Sequence, residues 1–306
     1  MSPLDGHACA ELAVDCRNDL GEMPLWSAAT STLLWIDVTQ PGRVFHWDTR
    51  RGVVDFWQFD HVVTGLARCR SGNRLLLVGA RVICELELAG LGQHRIFSLP
   101  ADQPYHRFND GGVDAAGRFW VGCMPDNLRE PFRSQRPLEC SGGIYTIAAD
   151  ANARYFAENL GCPNAITFSP DGQRFYLADS VSGWIYAYDF DAARARISGR
   201  RNFFFAANLG IPDGAAIDAQ GYLWNARWGA GVVARIDPAG ELDRLIRVPT
   251  TNPTACCFGG PDLKSLYITT ARYGLTDAQL GSEIYAGGVF AVRTEVPGAS
   301  VWAFGN

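Results

Sequence analysis

One short pattern recurs six times along this chain of 306 residues and constrains its fold more than any other feature. Each copy is a polar, turn-like stretch followed by a short run of aromatic and aliphatic residues, as in SPDGQRFYLADS and DAQGYLWNAR. The corresponding residues of the six runs are Trp35, Leu76, Trp120, Tyr176, Trp224 and Tyr267. Successive copies are therefore 41 to 56 residues apart, a spacing typical of β-propeller blades.

Further strand-like segments follow each copy, for example RVICELEL and WIYAYDF. They combine polar and apolar alternation with β-branched and aromatic residues, which is the pattern of half-buried strands. Helical periodicity is nearly absent. We therefore predict an all-β fold, a six-bladed β-propeller that occupies residues 1–306 as a single domain. The segment CAELAVDC, which precedes the first copy, is expected to complete the last blade and close the ring.

Charge and composition exclude several classes of partner. The net charge is −5 and the chain has no dense block of Lys and Arg, so we expect no nucleic-acid partner. The longest apolar runs, such as LLLVGA, are too short to cross a membrane, and the N-terminus lacks the features of a secretory signal. The nine cysteines are scattered without a C-x-x-C pair, which favours reduced, buried thiols. We expect a cytoplasmic protein, a monomer, without a membrane partner.

Polar residues occupy equivalent positions in four of the six copies. The innermost strand of each blade lines the channel of a propeller, so equivalent positions converge there. Counting back 11 to 13 residues from each marker residue reaches Glu22, Asn109, Asn164 and Asp213. In the other two copies the same count reaches Thr64 or Gly65, and Thr254 or Ala255.

Two carboxylates and two carboxamides form an oxygen-rich set that suits a hard divalent cation such as Ca²⁺, Mg²⁺ or Mn²⁺. No histidine lies at an equivalent position and the thiols are expected elsewhere, which disfavours a structural zinc site. The apolar surroundings of Glu22 in LGEMPLW favour a cation, since a buried carboxylate needs a partner. The alternative is that these residues only cap strands and satisfy buried backbone groups.

Five segments carry a family resemblance: LGEMPLW, RFNDGGVDAAGRFWVGCM, PNAITFSPDGQRFYLADS, IPDGAAIDAQGYLWNARW and CCFGGPDLKSLYITTAR. Together they resemble the SMP-30/gluconolactonase/LRE (regucalcin-like) family, in the family's order, over roughly residues 17–292. The resemblance implies a six-bladed propeller with one divalent metal ion in its channel. Ca²⁺ is the first candidate, and Mg²⁺, Mn²⁺, Zn²⁺ or Fe²⁺ would also be compatible with the family.

The resemblance also implies roles for individual residues. Glu22, Asn164 and Asp213 correspond to the metal ligands of the family, and Asp213 also to its catalytic base. Arg107 and Asn109 correspond to residues that contact substrate.

Some positions depart from the family or take no role in it. Met23 stands where the family often has a small residue, and Asn127 lies near a position where some members have a substrate-contacting glutamate. The loop from Pro125 to Ser141 is expected to cover the channel mouth and help set specificity. Asp110 should point away from Asn109 along the strand, so we assign it no direct role. Asp218, in IDAQG, is expected to be a turn residue.

These assignments predict the metal-dependent hydrolysis of a sugar-acid lactone, an aldonolactone such as a glucono-, galactono-, arabinono- or xylonolactone. The metal would polarise the lactone carbonyl and Asp213 would accept a proton from water. Two alternatives remain: a calcium-binding regulatory propeller without a main catalytic role, and a hydrolase of other esters or phosphotriesters.

Overall fold

The computed structural model describes residues 8–128 and 140–305, which form six four-stranded antiparallel sheets. The first strand of the chain, β1 (Glu11–Val14), belongs to the last sheet. Sheets one and two consist of β2 (Gly21–Ser27), β3 (Thr32–Asp37), β4 (Arg43–Asp48), β5 (Val53–Gln58), β6 (Val63–Arg68), β7 (Arg74–Gly79), β8 (Val82–Glu87) and β9 (Gln93–Ser98). Sheets three and four consist of β10 (His106–Val113), β11 (Phe119–Pro125), β12 (Gly142–Ile147), β13 (Ala153–Leu160), β14 (Pro163–Phe168), β15 (Arg174–Asp179), β16 (Trp184–Asp191) and β17 (Arg196–Phe205).

The last two sheets follow the same plan. They consist of β18 (Ile211–Ile217), β19 (Leu223–Trp228), β20 (Val232–Ile236), β21 (Leu242–Arg247), β22 (Pro253–Gly259), β23 (Ser265–Thr270) and β24 (Val289–Arg293), with β1 outermost in sheet six. A short helix, α1 (Asp277–Ser282), lies between β23 and β24, and a 3₁₀ turn at Ala207–Leu209 precedes β18. In the described part of the chain, no helix is both long and apolar enough to cross a membrane.

The first strands of the six sheets surround a central channel. Strands β2, β6, β10, β14, β18 and β22 each contact their two neighbours, and β22 returns to β2. The predicted six-bladed β-propeller is confirmed. The expected closure is also found, because β1 pairs antiparallel with β24, with Leu12 opposite Phe290 and Val14 opposite Val289.

The repeated pattern is explained by the packing between blades. All six marker residues are buried, and Trp35, Leu76 and Trp120 have no accessible surface. Trp120 packs among the aromatic side chains of the third and fourth blades, including Phe156 and Phe175. The recurring aromatic position therefore fills the space between neighbouring sheets, which only a large apolar side chain can do.

The turn aspartates connect to this packing. Asp218 accepts the backbone N–H groups of Gln220 and Tyr222, as expected of a turn residue. It is also completely buried, where it accepts the indole N–H of Trp224 at 3.0 Å and pairs with Arg235 at 2.8 Å. Its role is therefore larger than the turn predicted from the sequence, since it fixes the marker tryptophan of its own blade.

The C-terminal segment crosses one end of the channel. Its backbone bonds in turn to the fifth, second and third blades, through Ala299 to Ile217, Phe304 to Arg68 and Gly305 to Gly117. Residues 299–302 line a cavity of about 280 Å³ that is otherwise bounded by the six inner strands. The segment therefore joins three blades and closes that end of the channel.

Candidate active site

The four polar residues selected from the repeat lie at one level of the channel wall, one on each of four inner strands. In all six inner strands the pairing register shifts at this level, for example between Glu22 and Leu25 in β2 and between Pro212 and Ala215 in β18. A β-bulge of this kind re-aims a side chain out of the regular alternation. The position shared by the repeats is thus the bulge of each blade.

The backbone at two of these bulges is in the left-handed region. Met23, which follows Glu22, has a φ of 48°, and Ala165, which follows Asn164, has a φ of 52°. Non-glycine residues are uncommon there, and such strain persists only where the surrounding structure enforces it. At the bulge of β18 the constraint is different, because a Cβ on Gly214 would lie 2.5 Å from the Cβ of Ala255. The glycine at position 214 therefore allows a close contact with the next blade.

Glu22 and Asp213 are the acidic members of the set, and both have raised pKa values. Burial is the largest cause for each; the charge of Asp213 raises the pKa of Glu22 further, and that of Asp110 raises both. The N–H of Met23 donates to Glu22 at 3.2 Å and opposes this rise only in part. Neither carboxylate forms an ion pair with any residue in 8–128 or 140–305. Two neighbouring carboxylates, Asp213 buried and Glu22 half-buried, without a bonded cation fit a site for added positive charge.

Asn109 and Asn164 are joined directly. The Asn109 amide nitrogen donates to Asn164 Oδ1 at 2.8 Å and to the carbonyl oxygen of Pro163 at 3.0 Å. Arg107 donates to Asn109 Oδ1 at 2.7 Å. On the other side, Asn164 Nδ2 donates to the Ser180 hydroxyl oxygen at 2.9 Å. Asn164 Oδ1 accepts one hydrogen bond and keeps a second lone pair for a cation.

Arg107 is almost completely buried, and burial lowers its pKa. Its Nε and Nη2 atoms both donate to Asn127 Oδ1, at 3.0 and 2.7 Å, and Nη1 donates to the Phe108 carbonyl at 2.9 Å. With the bond to Asn109, four of its five N–H groups are engaged by the protein. Its predicted contact with substrate stays a prediction, and the structure leaves it a single N–H for that purpose.

Cys162 contradicts the expectation that the thiols lie elsewhere. Its Sγ atom is 3.8 Å from Asn164 Nδ2 and 3.9 Å from Asn109 Nδ2. The sequence placed it only two residues before Asn164, and nothing in the repeat marked it. Burial raises its pKa to about 12, so the thiol is neutral at physiological pH. The expectation of buried cysteines is also wrong for Cys9 and Cys140, which are exposed; all nine are free.

Asp110 points away from Asn109, as the strand alternation predicts. Its two oxygens accept the N–H groups of Gly111 at 2.8 Å and Ile166 at 2.9 Å, so it ties the third blade to the fourth. Burial raises its pKa to about 6. It lines the 280 Å³ cavity, which lies beyond the bulges towards the C-terminal segment. The sequence missed its electrostatic effect on Glu22 and Asp213.

Two further residues support Asp213. The Asn225 side chain, which has no accessible surface, donates to the carbonyl oxygen of Asp213 at 2.6 Å. Arg227 is equally buried; it donates to Asn225 Oδ1 at 3.1 Å and to the carbonyl oxygens of Leu209 and Gly210, just before β18. A polar residue within the marker strand, as in WNARW, was the only sequence signal for them.

The two remaining positions of the ring hold threonines that bond within the channel wall. Thr64 and Thr254 bond to backbone carbonyl groups, Gly79 at 3.2 Å and Gly21 at 2.5 Å respectively, and so are satisfied within the wall. Residues 129–139 of the loop predicted to cover the channel mouth lie outside the described residues.

The donor set fits a hard cation better than zinc. Within the described ranges, no group of three His, Cys, Asp or Glu side chains is placed to hold a metal ion. The candidate ligands are instead two carboxylates and one amide oxygen, Glu22, Asp213 and Asn164. All-oxygen sets of this kind suit Ca²⁺, Mg²⁺ and Mn²⁺. The ligand roles themselves stay predictions.

Comparison with known proteins agrees with this architecture. Residues 20–272 match a family model described as SMP-30/Gluconolactonase/LRE-like region. Regucalcin of Gallus gallus is 33% identical over 279 residues, which cover 90% of this chain and 91% of the relative.

Two solved structures share the fold. A luciferin-regenerating enzyme superposes with a TM-score of 0.88 at 25% identity, covering 97% of this chain and 99% of its own. A calcium-binding regucalcin from Agrobacterium tumefaciens superposes with a TM-score of 0.86 at 24% identity, covering 98% and 97%. The matched region includes all four bulge residues and Arg107. The chain belongs to the SMP-30/gluconolactonase/LRE-like family.

Proposed function

We propose that this protein hydrolyses a sugar-acid lactone, an aldonolactone, with the help of one divalent cation in the propeller channel. The observation that carries the proposal is the pair of carboxylates, half-buried Glu22 and buried Asp213, next to the oriented amide of Asn164. A family whose description includes gluconolactonase supports lactone hydrolysis as the reaction.

We assign a separate role to each site residue. Glu22, Asn164 and Asp213 would hold the cation, which when bound polarises the lactone carbonyl and stabilises negative charge on its oxygen. Asp213 would accept a proton from the attacking water as the general base. Arg107 has one remaining N–H with which to hold a ring or hydroxyl oxygen of the substrate. The bulges fix these groups on strands, which holds them more rigidly than loops would.

Ca²⁺ is the first candidate for the cation, since the donor set contains only oxygen atoms. The name of the Agrobacterium relative, a calcium-binding protein, supports the same choice. Mg²⁺, Mn²⁺, Zn²⁺ and Fe²⁺ are the alternatives to test. We propose further that the protein acts as a cytoplasmic monomer on a small sugar lactone.

The proposal is tested by assaying acid release from glucono-, galactono-, arabinono- and xylonolactone, with EDTA and with each cation restored. We expect turnover of at least one lactone, loss of activity in EDTA and recovery with a divalent cation. The alternative of a calcium-binding propeller predicts cation binding without turnover of any lactone. A hydrolase of other esters predicts turnover of a simple aryl ester or phosphotriester alone. Either result would overturn the proposal.

A further inference from the structure

We propose that Ser180 is a positioning residue that fixes the orientation of the Asn164 amide and ties the strand of Asn164 to the strand of Asp213. The inference rests on the proposed function, because it assigns a role toward the cation that Asn164 and Asp213 would hold. It concerns a residue outside the set that the repeat and the family resemblance selected.

The orientation of the two amides can be worked out from one end of the hydrogen-bond chain. Arg107 is a donor only, so the Asn109 atom 2.7 Å from it must be the oxygen. The opposite Asn109 atom then is the nitrogen, which agrees with its 3.0 Å contact to the carbonyl oxygen of Pro163, an acceptor only. The Asn164 atom that receives this nitrogen must therefore be Oδ1.

The other end of the hydrogen-bond chain gives the same orientation for the Asn164 amide. Ser180 Oγ is 2.7 Å from the carbonyl oxygen of Pro212, which can only accept, so the hydroxyl hydrogen points there. Ser180 Oγ is then an acceptor toward Asn164, and the Asn164 atom 2.9 Å away must be Nδ2. Both ends thus require the same amide orientation, and its Oδ1 is the atom left with a free lone pair.

Ser180 also links two of the three blades that carry candidate ligands, those of Asn164 and Asp213. It follows β15, whose neighbour β14 holds Asn164. Its acceptor Pro212 directly precedes Asp213 in β18, and the Pro212–Ala215 register shift makes this stretch irregular. A single hydroxyl therefore touches the side chain of one ligand and the backbone next to another. Such outer contacts orient ligands and typically change metal affinity by about 10- to 100-fold when removed.

The test is the Ca²⁺ affinity of the purified full-length protein, measured by isothermal titration calorimetry after EDTA treatment and dialysis. Ser180→Ala should weaken Ca²⁺ binding, raising the dissociation constant by about 10-fold or more. Ser180→Thr keeps the hydroxyl and should restore affinity to near the wild-type value. Ser182→Ala is the matched control, since Ser182 bonds to the Asp179 carbonyl and to Tyr186 and touches no candidate ligand. It should bind as the wild type does.

A second comparison isolates the orientation of the amide. In an Asn164→Asp background both terminal side-chain atoms at position 164 are oxygens, so their orientation no longer matters. Ser180→Ala should therefore reduce the Ca²⁺ affinity little further there. Thermal unfolding in EDTA separates stability from binding, because a merely structural hydroxyl would lower the melting temperature without changing the dissociation constant.

The outcomes distinguish the two proposals. If Ser180→Ala binds Ca²⁺ within about twofold of the wild type, or loses equal affinity in both backgrounds, the role of Ser180 is overturned and the proposed function stands. If the wild-type protein binds none of Ca²⁺, Mg²⁺, Mn²⁺, Zn²⁺ and Fe²⁺, the proposed function fails and the inference fails with it.

Discussion

At the scale of single residues, Asp213 has two proposed roles, as cation ligand and as proton acceptor. Its carboxylate lies beside Glu22, with a pKa raised first by burial and then by the charge of Asp110. We expect Asp213→Asn to lower kcat by about 10²- to 10⁴-fold even at a saturating cation concentration, because an amide cannot accept the proton of water. The measurement is kcat at increasing cation, together with the dissociation constant of the cation.

Asp262→Asn is the control for this change. Asp262 lies on the exposed surface and pairs with Arg293 at 2.6 Å, far in sequence from every candidate site residue. Asp262→Asn should leave kcat unchanged. An Asp213→Asn variant with full cation-dependent activity would show that Asp213 is not the base.

At the scale of elements, the bulges of the inner strands position the candidate ligands. A substitution at Gly214 tests the bulge of β18. A Cβ at this position would lie 2.5 Å from the Cβ of Ala255, so Gly214→Ala should push the fifth and sixth blades apart. We expect a loss of about 1–3 kcal/mol in the free energy of unfolding, with weaker cation binding through the adjacent Asp213. Urea unfolding of the EDTA-treated protein measures the first effect.

Gly281→Ala gives the contrasting case. Gly281 lies in α1 and no atom lies within 4 Å of a Cβ built there. Alanine is the better helix former, so this change should be neutral or stabilising by up to about 1 kcal/mol. Equal destabilisation by both changes would mean that the contact with Ala255 is not the cause.

The segment that carries α1 is anchored by a pH-dependent contact. Glu283 accepts hydrogen bonds from the Thr250 hydroxyl and the Thr251 N–H, both at 2.7 Å. Burial raises the pKa of Glu283, but the bonds from Thr251 and Thr250 outweigh it and leave the pKa below its ordinary value. A carboxyl whose pKa is lowered by folding stabilises the protein above its unfolded pKa, and this contribution disappears as the pH falls through the folded pKa.

Glu283→Gln should therefore lower the melting temperature at pH 7, and the difference from the wild type should shrink as the pH falls below about 4. Melting curves between pH 3 and pH 7 measure this. Glu295→Gln is the control, because the Glu295 side chain is 85% exposed and should make no difference at any pH. If the difference in melting temperature between Glu283→Gln and the wild type stays constant with pH, the charge of Glu283 does not contribute to stability.

The inner strands also show what could be predicted from the sequence. The repeat located Glu22 and Asp213 because every blade uses the same position, so their convergence follows from counting residues. It could not reveal the bulge, which is a shift in register between the first two strands of a blade, or the left-handed backbone at Met23 and Ala165. Ser180 was missed because its contact with Asn164 exists only once β14 and β15 are in register. Cys162 lies two residues before Asn164, but nothing in the sequence shows that its thiol lies on the same side as the Asn164 amide.

At the scale of the whole molecule, the ring is closed by strand β1 on the edge of β24. Removing residues 1–14 should expose that edge and the apolar side chains behind it, including Phe290, so we expect a lower melting temperature and aggregation. Removing residues 1–7 leaves β1 intact and serves as the control. Static light scattering during a thermal ramp measures both effects. Equal behaviour of the two truncated proteins would contradict closure by β1.

The closed ring was predictable from the alternation in CAELAVDC, whereas the path of the C-terminal segment was not. Residues 297–305 contain no repeat unit, and their bonds to Ile217, Arg68 and Gly117 join positions far apart in the chain. Only the assembled ring brings these partners to one end of the channel.

We propose that one divalent cation, held by Glu22, Asn164 and Asp213, is required for lactone hydrolysis. It is tested most directly by restoring the cation in steps to the EDTA-treated protein while measuring acid release from its preferred aldonolactone. We expect activity to return in proportion to added cation and to level off at one equivalent per chain, and we expect Glu22→Gln to need much more cation. Full activity of the cation-free protein would contradict it.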